Sequence, residues 1–248
     1  FYFLSKKNAN VIYECHQISK LKKILVNSAI RNESSKVLAL TDDIRNALEK
    51  NENDRIETLG SAFDEDYFFS NTEKKNHIVY AGSLYRFGQS RGIEILFESS
   101  LNLDIEDLKL IIISSDEDDI QSFKQKIKNT NLNFDLQIYE KLNQRQVGEI
   151  LSSAKVGLLI NNTSQHANLY SSPLKYFEYL ASGLNVVATD LLSHRNLPFS
   201  NNINFYNAND FNSLQSAILN AFKENENVTS SIDNFSMGKR ISKIIDFF

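Results

Sequence analysis

Short runs of β-branched and aliphatic residues alternate with stretches of helical period from Asn76 onward. That alternation predicts a parallel sheet joined by crossover helices. "HIVYAG" (77–82), "LKLIIIS" (108–114), "FDLQIY" and "VGLLI" read as strands, the last as a buried one. "RGIEILFESS" and "DDIQSFKQKI" read as helices, the second with Ile120, Phe123 and Ile127 on one face. From about Gln144 to Ala154, Val147, Ile150, Leu151 and Ala154 recur at i, i+3, i+4 and i+7, the stripe of an amphipathic helix. Strands at "NVVAT" (185–189) and "INFY" and a helix from Asp210 to Lys223 complete a doubly wound, Rossmann-like domain over residues 76–225.

The first 75 residues repeat the pattern with fewer elements. "NVIYE" (10–14), "KVLAL" (36–40) and "RIETLG" (55–60) are strand-like, and a helix opens at Thr41, whose hydroxyl suits a cap and whose following Asp42 and Asp43 suit a helix N-terminus. This predicts a partial Rossmann-like domain over residues 1–75. In "SMGKRISKIIDFF", Met237, Ile241, Ile244, Ile245 and Phe248 fall at helical spacing, so a terminal helix within 226–248 is expected to cover an apolar surface.

The segment "YSSPLKYFEYLASG" (170–183) is delimited sharply. Ser172 is a natural N-cap, Pro173 a natural first helical residue, and Gly183 a natural residue just past the end. A strand ending at Ile160 feeds this loop, so the helix N-terminus belongs at the carboxyl edge of the sheet, where unpaired amides attract phosphate. Leu174, Phe177 and Ala181 form the expected core stripe, while Lys175, Glu178 and Ser182 form a polar one. Spacing alone leaves two uses open for that polar stripe, a solvated face with a Lys175–Glu178 pair or a ligand contact.

Composition narrows the function classes. With 248 residues, 42% of them hydrophobic, the chain has enough apolar matter for one large core or two modest ones. A net charge of −4 with acids and bases interspersed offers no basic tract for nucleic acid. Cys15 is the single cysteine, which excludes an internal disulfide framework and a multi-cysteine zinc site and fits a cytoplasmic location. Apolar runs are strand-sized, so neither a transmembrane span nor a secretory signal is expected. Asp116-x-Asp118 follows a strand and opens a helix, where acids favour the helix dipole, and it is assigned no metal.

"SPLKYFEYLASGLNVVATD" resembles the signature of family 4 glycosyltransferases, retaining enzymes of the GT-B fold, in which a "P-L-K-x-F-E-Y-x-A-x-G-x-P-V-V-A" run lies in the donor-binding C-terminal domain. "VIYECH", "VLALTDDIRNAL", "AGSLYRFGQSRGIEIL" and "FSMGKRISKIIDFF" resemble further segments of that family in the same order. The first half of a normal N-terminal domain has no counterpart. The resemblance implies an acceptor side over 1–75, a nucleotide-sugar-binding domain over 76–225, and a terminal helix over 226–248 that returns to the N-terminal side.

By the same resemblance, the donor is a nucleoside diphosphate sugar, the acceptor a glycan or lipid-linked hydroxyl, and no metal or other cofactor is required. Glu178 matches the second glutamate of the family's E-x7-E motif, which accepts from the ribose hydroxyls. The first falls at Tyr170, a departure at the position that contacts the donor sugar. Arg91 aligns with the phosphate-binding lysine, Ser83 stands where the family has an arginine, and Arg86 lies three residues on. Gly82, Ser171, Ser172, Leu174 and Lys175 border the diphosphate, Tyr139 the base, and His16 the transferred sugar or acceptor. Catalytic roles fall to His16, Arg91 and Lys175. The implied setting is surface polysaccharide or lipopolysaccharide synthesis in the cytoplasm, extending to the inner face of the membrane. A non-catalytic GT-B module that binds nucleotide sugar or a protein partner is the alternative.

Overall fold

The computed structural model describes the chain apart from residues 8–9, 49–53, 71–72, 87, 99–102, 131, 133, 165–166, 169–171, 225–230 and 248, and apart from the side chains of Arg86 and Glu98. Three short strands, β1 (Val11–Cys15), β2 (Ser35–Ala39) and β3 (Ile56–Thr58), form a parallel sheet in the order β1-β2-β3. Around it lie α1 (Tyr2–Ser5), α2 (Lys20–Ala29) and α3 (Asp42–Leu48). Thr41 Oγ1 accepts from Ile44 N at 3.3 Å, so the expected capping hydroxyl is in place. The sheet buries Cys15, Val37, Ala39, Ile44, Leu48 and Ile56 in one small core.

The second sheet is larger and entirely parallel. Its strands are β4 (Lys75–Ala81), β7 (Lys109–Ser114), β8 (Asp135–Glu140), β9 (Ala154–Leu159), β10 (Asn185–Thr189) and β11 (Ile203–Tyr206), in the order β11-β10-β9-β4-β7-β8. A two-stranded hairpin, β5 (Tyr85–Arg86) with β6 (Gln89–Ser90), follows β4, and α4 (Ile95–Glu98) follows the hairpin. The crossovers are α5 (Glu117–Ile127), α6 (Gln144–Ser153), α7 (Leu174–Ala181), α8 (Leu192–Arg195) and α9 (Phe211–Lys223). Numbered within this sheet, the order is that of a doubly wound fold, and the winding reverses between β4 and β9.

Alternate residues of each central strand serve opposite faces. Ile78, Tyr80, Leu110, Ile112, Val156 and Leu158 face a core shared with α4, α5 and α9. Val79, Ala81, Ile111, Ile113, Leu159 and Val186 face a second core shared with α6 and α7. Burial on both faces is why these strands read as unbroken apolar runs. Asp116 Oδ1 accepts from Asp119 N at 3.0 Å, an N-cap on α5, so the acidic run there is doing capping chemistry.

Several expectations are corrected. The helix expected from Arg91 is described only over Ile95–Glu98, because Gly92 turns the chain at φ +92° just before it. Arg91 therefore sits in a loop rather than at a helix start. Pro173, not Ser172, is the N-cap of α7, because the Ser172 hydroxyl is engaged elsewhere, accepting from Ser61 N at 3.1 Å. Leu174 is 43% exposed instead of joining the core stripe. α2 goes beyond the elements predicted, although Leu21, Ile24 and Leu25 carry its period; they are exposed, and the buried face is Val26 and Ala29.

The terminal helix α10 (Met237–Phe247) forms as expected but does not cover an apolar surface. Ile241 and Ile245 are 50% and 67% exposed. Polar contacts hold it instead. The Glu65 carboxylate accepts from Met237 N and Gly238 N, each at 3.0 Å, Arg240 Nε donates to Gly60 O at 2.9 Å, and Lys36 Nζ donates to Phe247 O. Among the described residues no helix is long and apolar enough to cross a membrane.

Candidate functional site

The strands β4 and β9 pair as far as Val79 and Gly157, and beyond that they diverge. Tyr179 of α7 fills the gap. Its Oη accepts from Ala81 N at 2.9 Å and donates to Leu158 O at 3.3 Å, so the backbone groups left by the parting strands stay satisfied. Its ring lies against Gly157, where a Cβ would stand 2.6 Å from Tyr179 Cδ2. The far end of α7 closes with Gly183 at φ +72°, while Gly183 N bonds Leu180 O and Leu184 N bonds Tyr179 O, both at 3.0 Å, a Schellman ending. A short rigid helix thus stands beside the point where the sheet winding reverses.

A cavity of about 540 Å³ opens there. Tyr80, Ala81 and Gly82 from the end of β4, Leu158 to Asn161 from the end of β9, and Ser172 to Lys175 at the start of α7 form one wall. Glu14, His16, Leu40, Ser61 and Ala62 from the small sheet, with Met237 and Arg240, form the other. The carboxyl ends of both parallel sheets therefore face one space, the usual position of ligands in open α/β sheets. Ser61 and Ser172 tie the walls together, Ser61 Oγ donating to Ser172 O at 2.8 Å.

Cations outnumber acids around this cavity. Among the described residues, Arg91, Lys175 and Arg240 face it with a single carboxylate, Glu14. Arg91 Nη1 donates to Asn161 Oδ1 at 3.0 Å, whereas its buried Nε has no hydrogen-bond partner among the described residues. A buried guanidinium donor without an acceptor is suited to an anionic ligand. Lys175 Nζ lies 2.5 Å from Glu178 Oε2, and Glu178 is 2% exposed beneath it. The polar stripe of α7 is therefore largely withdrawn from solvent, with Glu178 and Ser182 buried and Lys175 half-buried at the cavity.

The structure brings His16, Gly82, Arg91, Ser172, Leu174 and Lys175 together at the cavity. Glu178 does not line the cavity and is buried against Lys175, which does. Ser83 does not line the cavity, its backbone carbonyl accepting from Tyr80 Oη at 2.6 Å, and Tyr139 donates to Gln137 Oε1 at 2.9 Å while packing against the α6–α7 core. Arg86 lies on β5, its side chain outside the description, and Tyr170 and Ser171 lie outside the described residues. Sequence reasoning missed Asn161, Ser61 and Arg240. Asn161 was findable, since it directly follows a strand at the winding reversal; Ser61 and Arg240 reach the site through contacts distant in sequence.

His194 lies nearby on α8, fully buried, with Nδ1 2.8 Å from Thr189 O. That geometry makes Nδ1 the protonated nitrogen of a neutral ring. Burial, reinforced by the Arg91 charge, pushes its pKa down from 6.5 to about 4. As pH falls below 6.5 the unfolded chain takes a proton that the folded chain refuses, so stability is full above that pH and drains away down to about pH 4. The loss is expected to total about 3 kcal/mol. Urea unfolding at pH 7 and pH 5 checks this, since His194→Asn should show a visibly smaller difference between the two pH values than the parent chain.

No protein-family model matches this sequence, and no curated protein matches it. Solved structures do. The sucrose-phosphate synthase of Thermosynechococcus elongatus superposes with a TM-score of 0.65 at 15% identity, over 96% of this chain and 66% of that one. A glycosyltransferase from Rickettsia africae ESF-5 superposes with a TM-score of 0.68 at 16% identity, over 99% and 72%. The lipopolysaccharide outer core galactosyltransferase WaaB superposes with a TM-score of 0.59 at 13% identity, over 99% and 76%. The chain thus spans roughly two thirds to three quarters of the length of these proteins. Two facing sheets of parallel strands and a cavity at their carboxyl ends give this chain the α/β fold of GT-B glycosyltransferases.

Proposed function

We propose that this chain binds a nucleoside diphosphate sugar in the cavity between the sheets and transfers the sugar to an acceptor hydroxyl with retention at the anomeric carbon. One observation carries the proposal: among the described residues, three cationic side chains against one carboxylate line the cavity at the winding reversal of a doubly wound sheet. In this reading Arg91 and Lys175 hold the diphosphate and stabilise its charge as it departs, and positioning with charge stabilisation supplies the catalysis. Movement of the Lys175 ammonium toward a diphosphate uncovers Glu178, whose carboxylate then accepts from the ribose hydroxyls. His16, on the opposite wall, meets the sugar or the acceptor. The superposition on proteins named for sugar transfer supports this reading, and WaaB supports a setting in lipopolysaccharide or surface polysaccharide synthesis.

Labelled nucleotide sugars incubated with the chain and a panel of hydroxyl acceptors test the reaction. The expected product keeps the donor's anomeric configuration. An inverted product overturns retention. Binding without turnover favours the second reading, a nucleotide-sugar-binding module, for which Ser83 and Tyr170 speak because they replace a phosphate-binding arginine and a sugar-contacting glutamate. Glu178→Gln keeps the volume but removes the charge beneath Lys175; it is expected to weaken nucleoside diphosphate binding about tenfold, measured by calorimetric titration.

A further inference from the structure

Glu14 joins two parts of the chain that are more than two hundred residues apart. Its Oε1 lies 2.9 Å from His16 Nε2 and 2.9 Å from Arg240 Nη2. Arg240 comes from α10, and its Nε is spent on Gly60 O at 2.9 Å, so one guanidinium grips the loop after β3 and the carboxylate at the end of β1 at once. A planar fork holds two acceptors in one fixed geometry, whereas an ammonium on a flexible stem holds them without fixing their relative orientation. The Arg240 side chain is 12% exposed, whereas that of His16 is 62% exposed. All three side chains line the cavity.

We propose that Arg240 is a positioning residue for His16, acting through Glu14. Arg240 fixes the carboxylate, and the carboxylate fixes the imidazole by accepting from Nε2–H. Nε2 is then the protonated nitrogen, and Nδ1 is the ring atom left to accept from a substrate hydroxyl. The Glu65 carboxylate and the Phe63 carbonyl already anchor the start of α10, so a brace for the helix does not require the Glu14 arm. Through that arm the terminal helix sets the orientation of a side chain in the same wall of the cavity.

The orientation of His16 is separable from turnover, although its catalytic use rests on the transferase reading. The decisive measurement is the ring order parameter of His16, from ¹³C relaxation of the intact chain labelled at histidine and assigned with His16→Gln. The parent ring is expected to be ordered, at about 0.8, and to fall below about 0.6 in Arg240→Ala and equally in Glu14→Ala. The double substitution should fall no further, because both act through one chain of contacts. Arg240→Lys, which keeps the charge but not the fork, should lie between. An unchanged His16 ring in Arg240→Ala, or a loss there but not in Glu14→Ala, overturns the proposal. Should Arg240→Ala fail to fold, Arg240→Lys and Glu14→Gln carry the same comparison. Where transfer is measured, kcat should drop about tenfold in Arg240→Ala with KM for the nucleotide sugar within about twofold. An ordered ring in a chain that transfers nothing would sink the transferase reading and leave the positioning intact.

Discussion

Arg91→Met is expected to weaken binding of a nucleoside diphosphate by about a hundredfold and to leave the affinity for the bare nucleoside unchanged. Methionine keeps much of the volume and removes the fork. Charge-assisted hydrogen bonds are each worth about 1.5–3 kcal/mol, and the Arg91 Nε is already desolvated without an acceptor among the described residues, so a diphosphate oxygen would supply its partner. Asn161 holds the other arm at 3.0 Å and keeps the guanidinium from swinging away. Arg91→Lys should recover only part of the loss, because it restores the charge without the bidentate geometry. Calorimetric titration of the three chains with a nucleoside and its diphosphate provides the comparison. Equal weakening for both ligands would show that Arg91 does not read phosphate.

Gly157→Ala is expected to destabilise the chain by about 3 kcal/mol, near the upper end of ordinary overpacking. A Cβ there would approach the Tyr179 ring at 2.6, 2.7 and 3.1 Å, and that ring is fully buried, pinned by hydrogen bonds to Ala81 N and Leu158 O. Neither partner has room to yield. Relief requires α7 to move, and α7 carries Lys175 and Glu178, so the same change should weaken nucleotide binding in the fraction that stays folded. Tyr179→Phe separates the two effects. It removes only the hydroxyl, leaves Ala81 N unpaired in a buried position, and should cost about 1–3 kcal/mol without displacing the helix. Urea denaturation of both variants checks the order, and a Gly157→Ala chain as stable as the parent would contradict the packing argument.

What could be read from the sequence followed from burial. The central strands lie between two cores, so each became a continuous apolar run with turn residues at its ends, and both the strands and their parallel arrangement were legible. Pro173 and Gly183 bracket α7 because proline and glycine restrict or release the backbone locally, whatever the rest of the chain does. The cap itself shifted by one residue, because Ser61, distant in sequence, claimed the Ser172 hydroxyl. The apolar pattern of α10 misled for a related reason. Its position is set by Glu65, Gly60 and Glu14 rather than by Ile241 and Ile245, and polar pairings across the fold leave no periodic trace. The same holds for Leu174, an apolar residue turned toward the cavity.

At the candidate site, most of what was legible lay on one wall, with His16 the exception on the other. Gly82, Arg91, Ser172 and Lys175 all belong to loops that leave the carboxyl ends of β4 and β9 or to the start of α7, where strand order and motif spacing reach. The opposing wall is assembled from β1, the loop after β3 and the terminal helix, and its key contact, Glu14 with Arg240, depends on the closure of the whole fold.

The central claim is that the space between the two sheets is a nucleoside diphosphate site. Calorimetric titration of the intact chain with uridine, guanosine, adenosine and cytidine diphosphates tests it most directly, each beside its monophosphate and its nucleoside. At least one diphosphate should bind saturably, more tightly than its monophosphate, with the difference abolished in Arg91→Met. Absence of heat with every diphosphate at millimolar concentration would contradict the account.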